Sequence, residues 1–153
     1  MRVFRSFVPL GFLLAVAIVL SSCQGMKVSS YDPAAHQNAI ALKAETLALL
    51  AMSSEPFATH KDAVVGLNAK VEAAYQVAAA TPGNELVARE WQILKDPDRD
   101  LYGGFVKRWE TSGKLSNAFR ENFTGQVGEA FDMIICLEAA KKSGGQCVPA
   151  GGA

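Results

Sequence analysis

The sequence has few histidines and cysteines, two of the residue types that build catalytic and metal sites. Its 153 residues include only two histidines and three cysteines, and fifteen basic residues balance fifteen acidic ones. A balanced charge offers no clustered basic face of the kind that nucleic acids require. Motifs of serine hydrolases, zinc proteases, phosphate-binding loops and covalent haem are all missing from the sequence. We therefore expect no enzymatic activity, no cofactor other than a covalent lipid, and no bound nucleic acid.

The remaining candidates for metal binding are weak. His36 and His60 lie near the starts of different predicted helices without an evident third zinc ligand, so we interpret both as surface residues. A non-covalent haem bound through Met52 or another axial ligand is left open by the sequence. Asp96, Asp98 and Asp100 place three carboxylates at alternate positions, as a calcium-binding loop does. That loop also needs Gly at its sixth position and Glu at its twelfth, where this sequence has Leu101 and Lys107. We interpret this acidic run as a negatively charged helix start.

The N-terminal segment has the composition of a secretion signal. Arg2 and Arg5 supply positive charge ahead of an apolar run over residues 8–20. A run of about 13 residues is too short for a helix that spans a bilayer, which needs about 20. If this segment is removed, thirteen basic and fifteen acidic residues remain, a net charge of −2.

An aliphatic residue, two small residues and a cysteine follow the apolar run, in the order Leu20, Ser21, Ser22 and Cys23. This order resembles the lipobox of bacterial lipoproteins. The resemblance implies cleavage after residue 22 and a diacylglyceryl lipid on the Cys23 thiol, with enough acyl chains for stable anchoring. Gln24 stands where an aspartate retains enteric lipoproteins in the inner membrane. The resemblance therefore implies the periplasmic leaflet of the outer membrane.

The mature chain divides into a tether, a helical domain and a tail. Residues 1–22 are the expected signal peptide, 23–31 the lipidated tether, 32–145 the helical domain and 146–153 the tail. Asp32 and Pro33 suit the start of a helix, and Pro97 starts a new helix or kinks a continuing one. Short connections favour antiparallel neighbours. The expected fold is all-α, an antiparallel four-helix bundle whose third helix is broken or bent at Pro97.

Four apolar stripes at helical spacing support this fold. We interpret Trp91 and Trp109 as core residues, and Tyr102 as lying beside a stripe with access to the surface. The stripes, in chain order, are Ile40, Ala44, Leu47, Leu50 and Ala51; Val64, Leu67, Val71, Ala74 and Ala78; Val87, Trp91, Leu94, Leu101, Phe105 and Trp109; and Phe119, Phe123, Val127, Ala130, Ile134 and Leu137.

Two cysteines remain once the lipid takes Cys23, an even number for an oxidising compartment. At the helical rotation of 3.6 residues per turn, Cys136 lies about 150° from the centre of the last stripe, on the outer face. Past the glycines at 144 and 145 the chain can reverse, so Cys147 needs to return by only about one and a half to two turns. We predict a Cys136–Cys147 disulfide that holds the tail to this face. Two unpaired or intermolecularly paired thiols are the alternative.

Several short segments extend the resemblance into the mature chain. Tyr31-Asp32-Pro33 follows the tether, and Leu137-Glu138-Ala139-Ala140-Lys141-Lys142 closes the last helix, with Asn84, Trp91-Gln92 and Leu94 between them. Together they resemble a group of small helical lipoproteins of Gram-negative bacteria that carries no known activity. Pro97 and the tail with Cys147 depart from this group.

These observations predict a membrane-tethered, non-enzymatic binding or accessory module of the cell envelope. Its partners would be the membrane, through the lipid anchor, and another envelope protein. The alternative is a helical bundle that binds a small ligand or a metal as a sensor or carrier. That alternative requires a cavity between helices lined by convergent polar groups.

Overall fold

A computed structural model describes residues 28–144 and 146–147. The predictions on Leu20, Ser21, Ser22, Cys23 and Gln24 lie outside the described residues. Within them the chain forms five helices and no strand, which confirms the all-α expectation. The helices are α1 (Pro33–Met52), α2 (Phe57–Ala80), α3 (Glu85–Lys95), α4 (Tyr102–Ser112) and α5 (Asn117–Ser143). In this part of the chain, each helix is too short or too polar to cross a bilayer.

The ends of α1 and α5 follow the rules of helix capping. The Asp32 carboxylate accepts a hydrogen bond from the Ala34 N–H at 2.8 Å, and Pro33 occupies the first turn, as the sequence predicts. Helix α5 stops at Gly144, whose φ of 65° is left-handed and suits glycine. Both predicted boundaries are therefore confirmed.

The predicted third helix is two helices that meet at the break around Pro97. Helix α3 ends at Lys95 and α4 begins at Tyr102. The first turn of α4 lies against the backbone at the end of α3. A Cβ at Gly103 would lie 2.3 Å from the Lys95 carbonyl oxygen. A Cβ at Gly104 would lie 1.8 Å from that of Arg99. Only glycine fits at these two positions.

The helices enclose one core. Helix α1 packs on α2 and α5, and α3 packs on α2 and α5, so these four are neighbours in a closed ring. Helix α4 contacts α2, α3 and α5. Aromatic rings fill the interior: Phe105 stacks on Trp109 at 5.6 Å between centroids, and Trp91 meets Phe131 edge-on at 5.7 Å. The interpretation of both tryptophans as core residues is confirmed.

The predicted core face is confirmed on α2 and largely on α3 and α4. All five residues predicted on α2 are buried, whereas Val65 and Val77, in a second apolar series on the same helix, are exposed. Only Leu101, in the loop before α4, is half-buried. The buried members of these stripes are Val64, Leu67, Val71, Ala74, Ala78, Val87, Trp91, Leu94, Phe105 and Trp109.

The predicted face of α1 is wrong apart from Leu50 and the half-buried Leu47. Ile40 is 40% exposed, and Ala44 and Ala51 are exposed too. The buried face has the same 3-4 spacing but contains a threonine. A pattern of apolar residues alone therefore does not identify it. Its members are Ala39, Leu42, Thr46, Leu49 and Leu50.

The face predicted on α5 is correct in the middle and wrong at its ends. Phe119 is 44% exposed, with the Arg108 guanidinium 4.7 Å above its ring. Ala130 and Leu137 are half-buried, whereas their neighbours Phe131 and Glu138 are fully enclosed. At these two positions the buried residue is the one after the predicted residue, whereas Ile134 between them is buried as predicted. The buried face therefore includes a glutamate.

The surface position predicted for Tyr102 is wrong as well. The side chain is 2% exposed, and its hydroxyl donates a 2.6 Å hydrogen bond to Oδ1 of Asn68. Burial raises the pKa of the Tyr102 phenol well above its ordinary value. The hydroxyl remains a neutral donor that ties α4 to α2.

The predicted disulfide between Cys136 and Cys147 is present. The two Cα atoms lie 5.5 Å apart, within the usual range for a disulfide. Both residues are half-buried, so Cys136 is neither on the open surface nor in the core. Closing a loop over a sequence separation of 11 stabilises the fold by about 3 kcal/mol in the chain-entropy account.

Candidate functional site

A groove of about 360 Å³ opens where α1, α2, α3 and α5 meet, at the end of the domain from which the tether leaves. Its walls are built from small residues of α1 and α2, and its floor includes Trp91 of α3. Small side chains leave room between helices that larger ones would fill. The apolar wall residues are Ala34, Ala35, Ala73, Ala74, Val77 and Ala78.

The tether itself forms one rim of this groove. The Ser29 N–H donates a 3.0 Å hydrogen bond to the Gly83 carbonyl, and its hydroxyl donates to Oδ1 of Asn84 at 3.4 Å. Asn84 is 6% exposed and lines the groove. The turn between α2 and α3 can bind the tether because Gly83 adopts a φ of 80°. The end of the tether is therefore fastened to the groove.

A nearly dry ion pair borders the groove from α5. Nζ of Lys141 lies 2.6 Å from Oε2 of Glu138, and the two side chains are only 5% and 3% exposed. Taking both charges out of water costs several kcal/mol for each ion, which their attraction offsets only when both partners are present. An apolar pair of similar volume often serves stability as well or better. The pair is therefore a candidate for function rather than for stability alone.

Both signs of charge face the groove. Asp32 and Glu138 supply two carboxylates, and Lys70 and Lys141 supply two ammonium groups. Lys70 also binds Glu45 at 2.6 Å, an exposed pair that solvent screens. The groove thus offers an apolar wall beside balanced polar groups, which suits a ligand that is neutral or zwitterionic and partly apolar.

A second cavity, of about 460 Å³, lies beside Tyr102 between α2 and α4. Its main polar groups are already bound to one another. Lys95 contacts Glu72 at 2.7 Å and lies 4.3 Å above the Tyr75 ring. This Lys95 contact lowers the pKa of Glu72. With Tyr102 bound to Asn68, this cavity is the weaker candidate for a ligand.

The histidines do not form a metal centre. Nε2 of His60 lies 2.7 Å from the Glu55 carboxylate, and its ring packs 5.6 Å from that of Trp109. His36 lies beside Tyr31, with a buried Nδ1 that has no hydrogen-bond partner. Both histidines are half-buried, which corrects their assignment to the surface. Residues 28–144 and 146–147 contain no cluster of three His, Cys, Asp or Glu side chains suited to a metal.

The acidic run around Pro97 is a loop rather than a helix start. The Asp96 carboxylate accepts a 2.9 Å hydrogen bond from the Asp98 N–H, and Lys107 binds Asp98 at 2.7 Å. The hydrogen bond from Lys107 lowers the pKa of Asp98. Helix α4 carries no acidic residue in its first turn, so the helix-start interpretation is wrong. A lysine stands where a calcium loop needs its glutamate.

Sequence reasoning missed Glu138 as a site residue because it follows Leu137 in a segment that forms a helix readily. A buried charge is visible only once the register of α5 is known. Comparison with protein-family models, with curated proteins and with solved structures finds no match to this chain. The features of the described residues that bear on function are therefore the groove, its buried ion pair and its attachment to the tether.

Proposed function

We propose that the chain is a lipid-anchored lipoprotein of the cell envelope whose helical domain is a non-enzymatic binding module facing the periplasm. The Leu20–Cys23 lipobox and Gln24 support the anchor and its outer-membrane position. The ring of α1, α2, α3 and α5, with α4 beside α3, supports an antiparallel four-helix bundle as the scaffold. The groove at the tether end is its proposed binding site.

One observation carries this proposal: the fastening of Ser29 to Gly83 and Asn84. Ser29 is the sixth residue after Cys23, and an extended chain over that separation reaches about 20 Å. A lipid on Cys23 would therefore hold the groove within about 20 Å of the bilayer surface. The module would meet partners or ligands at the membrane rather than far out in the periplasm.

The anchor is tested by Cys23→Ser in the native host, with Ser22→Ala as the matched control that keeps a small residue before the cysteine. We expect Cys23→Ser to leave the precursor untrimmed and to abolish the incorporation of a labelled fatty acid. Ser22→Ala should be processed and labelled normally. Density-gradient separation of the membranes should place the wild-type protein in the outer fraction. Normal trimming and labelling of Cys23→Ser would refute the lipoprotein assignment.

A second candidate function, the binding of a small ligand, is favoured by the mixed charge and apolar wall of the groove. Ala73 is exposed and lines the groove, whereas Ala79 is exposed on the same helix and does not. Ala73→Phe should fill the groove with little effect on the core, and Ala79→Phe is its matched control.

Native mass spectrometry of protein isolated from its own membranes distinguishes the two functions. A groove ligand should appear as added mass in wild-type protein and in Ala79→Phe, with at least tenfold lower occupancy in Ala73→Phe. A protein partner should appear instead as a crosslinked species that Ala73→Phe weakens and Ala79→Phe does not. If Ala73→Phe changes neither the ligand occupancy nor the amount of crosslinked species, the groove is not the binding site.

A further inference from the structure

Three sulfur atoms lie together near the end of α5. Met133 and Cys136 are three residues apart on one side of the helix, and Gly144 reverses the chain so that Cys147 bonds to Cys136. Sγ of Cys147 also lies 3.8 Å from Sδ of Met133. Because the disulfide leaves Cys147 without an S–H, this is a sulfur–sulfur contact and not a hydrogen bond. All three residues are half-buried.

We propose that this cluster, once reduced, binds one Cu(I) ion through the Cys136 and Cys147 thiolates and the Met133 thioether. Thiolate and thioether sulfur are the soft ligands that select Cu(I). In a trigonal site with metal–sulfur bonds of about 2.3 Å, the sulfurs stand about 4 Å apart. The 3.8 Å between Cys147 and Met133 already meets this requirement. The two cysteine sulfurs must separate, which breaking their bond allows.

The chemistry balances with a dithiol as reductant. The dithiol gives two electrons and two protons to the disulfide, forming two thiols, and is itself oxidised to a disulfide. Cu(I) then displaces one proton from each thiol to solvent, and its oxidation state does not change. Binding therefore strengthens as the pH rises, because protons compete with the metal for the thiolates. The oxidised cluster has no thiolate and does not bind.

The donor set favours Cu(I) over zinc. Structural zinc takes four ligands from cysteine, histidine and carboxylate groups. The described residues offer no cluster of three such side chains, so the sulfur site lacks the ligands that zinc would need. A thioether completes a three-coordinate Cu(I) site instead. The sequence predicted no metal here because a disulfide was assigned to both cysteines and Met133 was not connected with them.

The test uses the full chain in detergent with Cys23→Ser, so that Cys136 and Cys147 are its only thiols. The result is then independent of lipidation and of the proposed function. The reduced protein, freed of reductant under anaerobic conditions, is titrated with Cu(I) against a chromogenic Cu(I) chelator. We expect one Cu(I) per reduced chain and none in the oxidised protein. Excess Zn²⁺ should not displace the copper.

Two methionine variants identify the third ligand. Met133→Leu keeps both cysteines and should lower the affinity for Cu(I) at least tenfold, whereas Met52→Leu, at a methionine that is 44% exposed, should leave it unchanged. X-ray absorption should give three sulfur neighbours at about 2.3 Å in wild-type protein and two sulfurs in Met133→Leu. Equal affinity of Met133→Leu and wild type, a two-sulfur shell in wild type, or no binding after reduction would overturn the proposal. Peptide mapping without reductant checks that Met133→Leu still forms the disulfide.

Discussion

Gly104→Ala is expected to lower the free energy of unfolding by at least about 3 kcal/mol. The added Cβ would stand 1.8 Å from the Arg99 carbonyl oxygen, a contact that no real Cβ makes. Because the obstacle is backbone, no side chain can rotate away to relieve it. The loop between α3 and α4 would have to move, and with it the packing of Phe105 and Trp109 in the core. Urea-induced unfolding followed by tryptophan fluorescence measures the change.

The matched control is the same substitution at a glycine that has space around it. Gly66 lies inside α2, and a Cβ there would meet nothing within 4 Å. Gly66→Ala should raise the free energy of unfolding by about 0.5–1 kcal/mol, because alanine is the better helix former. The same Gly→Ala substitution is thus expected to raise the free energy of unfolding at Gly66 and to lower it at Gly104. A stability of Gly104→Ala equal to that of wild type would show that the loop between α3 and α4 does not lie against the start of α4 as described.

This contrast also explains which parts of the fold could be predicted. Pro97 predicts the break from the local sequence alone, because proline in a helix interior breaks or kinks the helix. The docking of α4 depends on contacts with residues before the break, which a search along one helix does not include. The pair Gly103-Gly104 was the available signal. Two glycines in a row cost a helix about 2 kcal/mol relative to alanine, so their presence indicates a close approach.

The buried faces of the helices also differ in whether the sequence of one helix is enough to predict them. On α2 the series with Val64, Leu67 and Val71 has larger side chains than the parallel, alanine-rich series with Val65 and Val77, so the predicted face is the buried one. On α1 the series with Ile40 and the series with Leu42 have equal spacing, and Thr46 makes the true face look more polar. Packing against α5 decides between them, and that partner is far away in sequence. The Cys136–Cys147 disulfide was predictable because its two ends are close in the chain.

The groove could not be predicted from any one segment. Its lining comes from four helices and the tether, and each segment alone looks ordinary: alanines on α1 and α2, a core tryptophan on α3, and a Glu–Lys pair on α5. Glu–Lys pairs at this spacing are common on exposed helix surfaces. Only the position of Glu138 against the other helices distinguishes this pair from a solvated one.

Glu138→Ala is expected to lower the free energy of unfolding by about 3–5 kcal/mol. The substitution leaves the Lys141 ammonium, whose side chain is 5% exposed, without its partner in a dry environment. Thermal and urea unfolding measure the loss. Glu45→Ala breaks the exposed pair with Lys70 and should change stability by less than about 1 kcal/mol, because solvent screens that pair. Similar losses in the two variants would mean that water reaches Glu138.

The double substitution Glu138→Leu with Lys141→Met tests why the pair is there. Removing both charges and keeping similar volume should restore stability to within about 1 kcal/mol of wild type or above it. If the pair serves the groove, the double variant should fold normally yet lose at least tenfold in occupancy by a ligand or partner. Folding and binding are then separated in one protein. A double variant that is stable and binds as wild type does would make the ion pair a packing feature, and the groove would have to bind through Asp32, Asn38 and Lys70 instead.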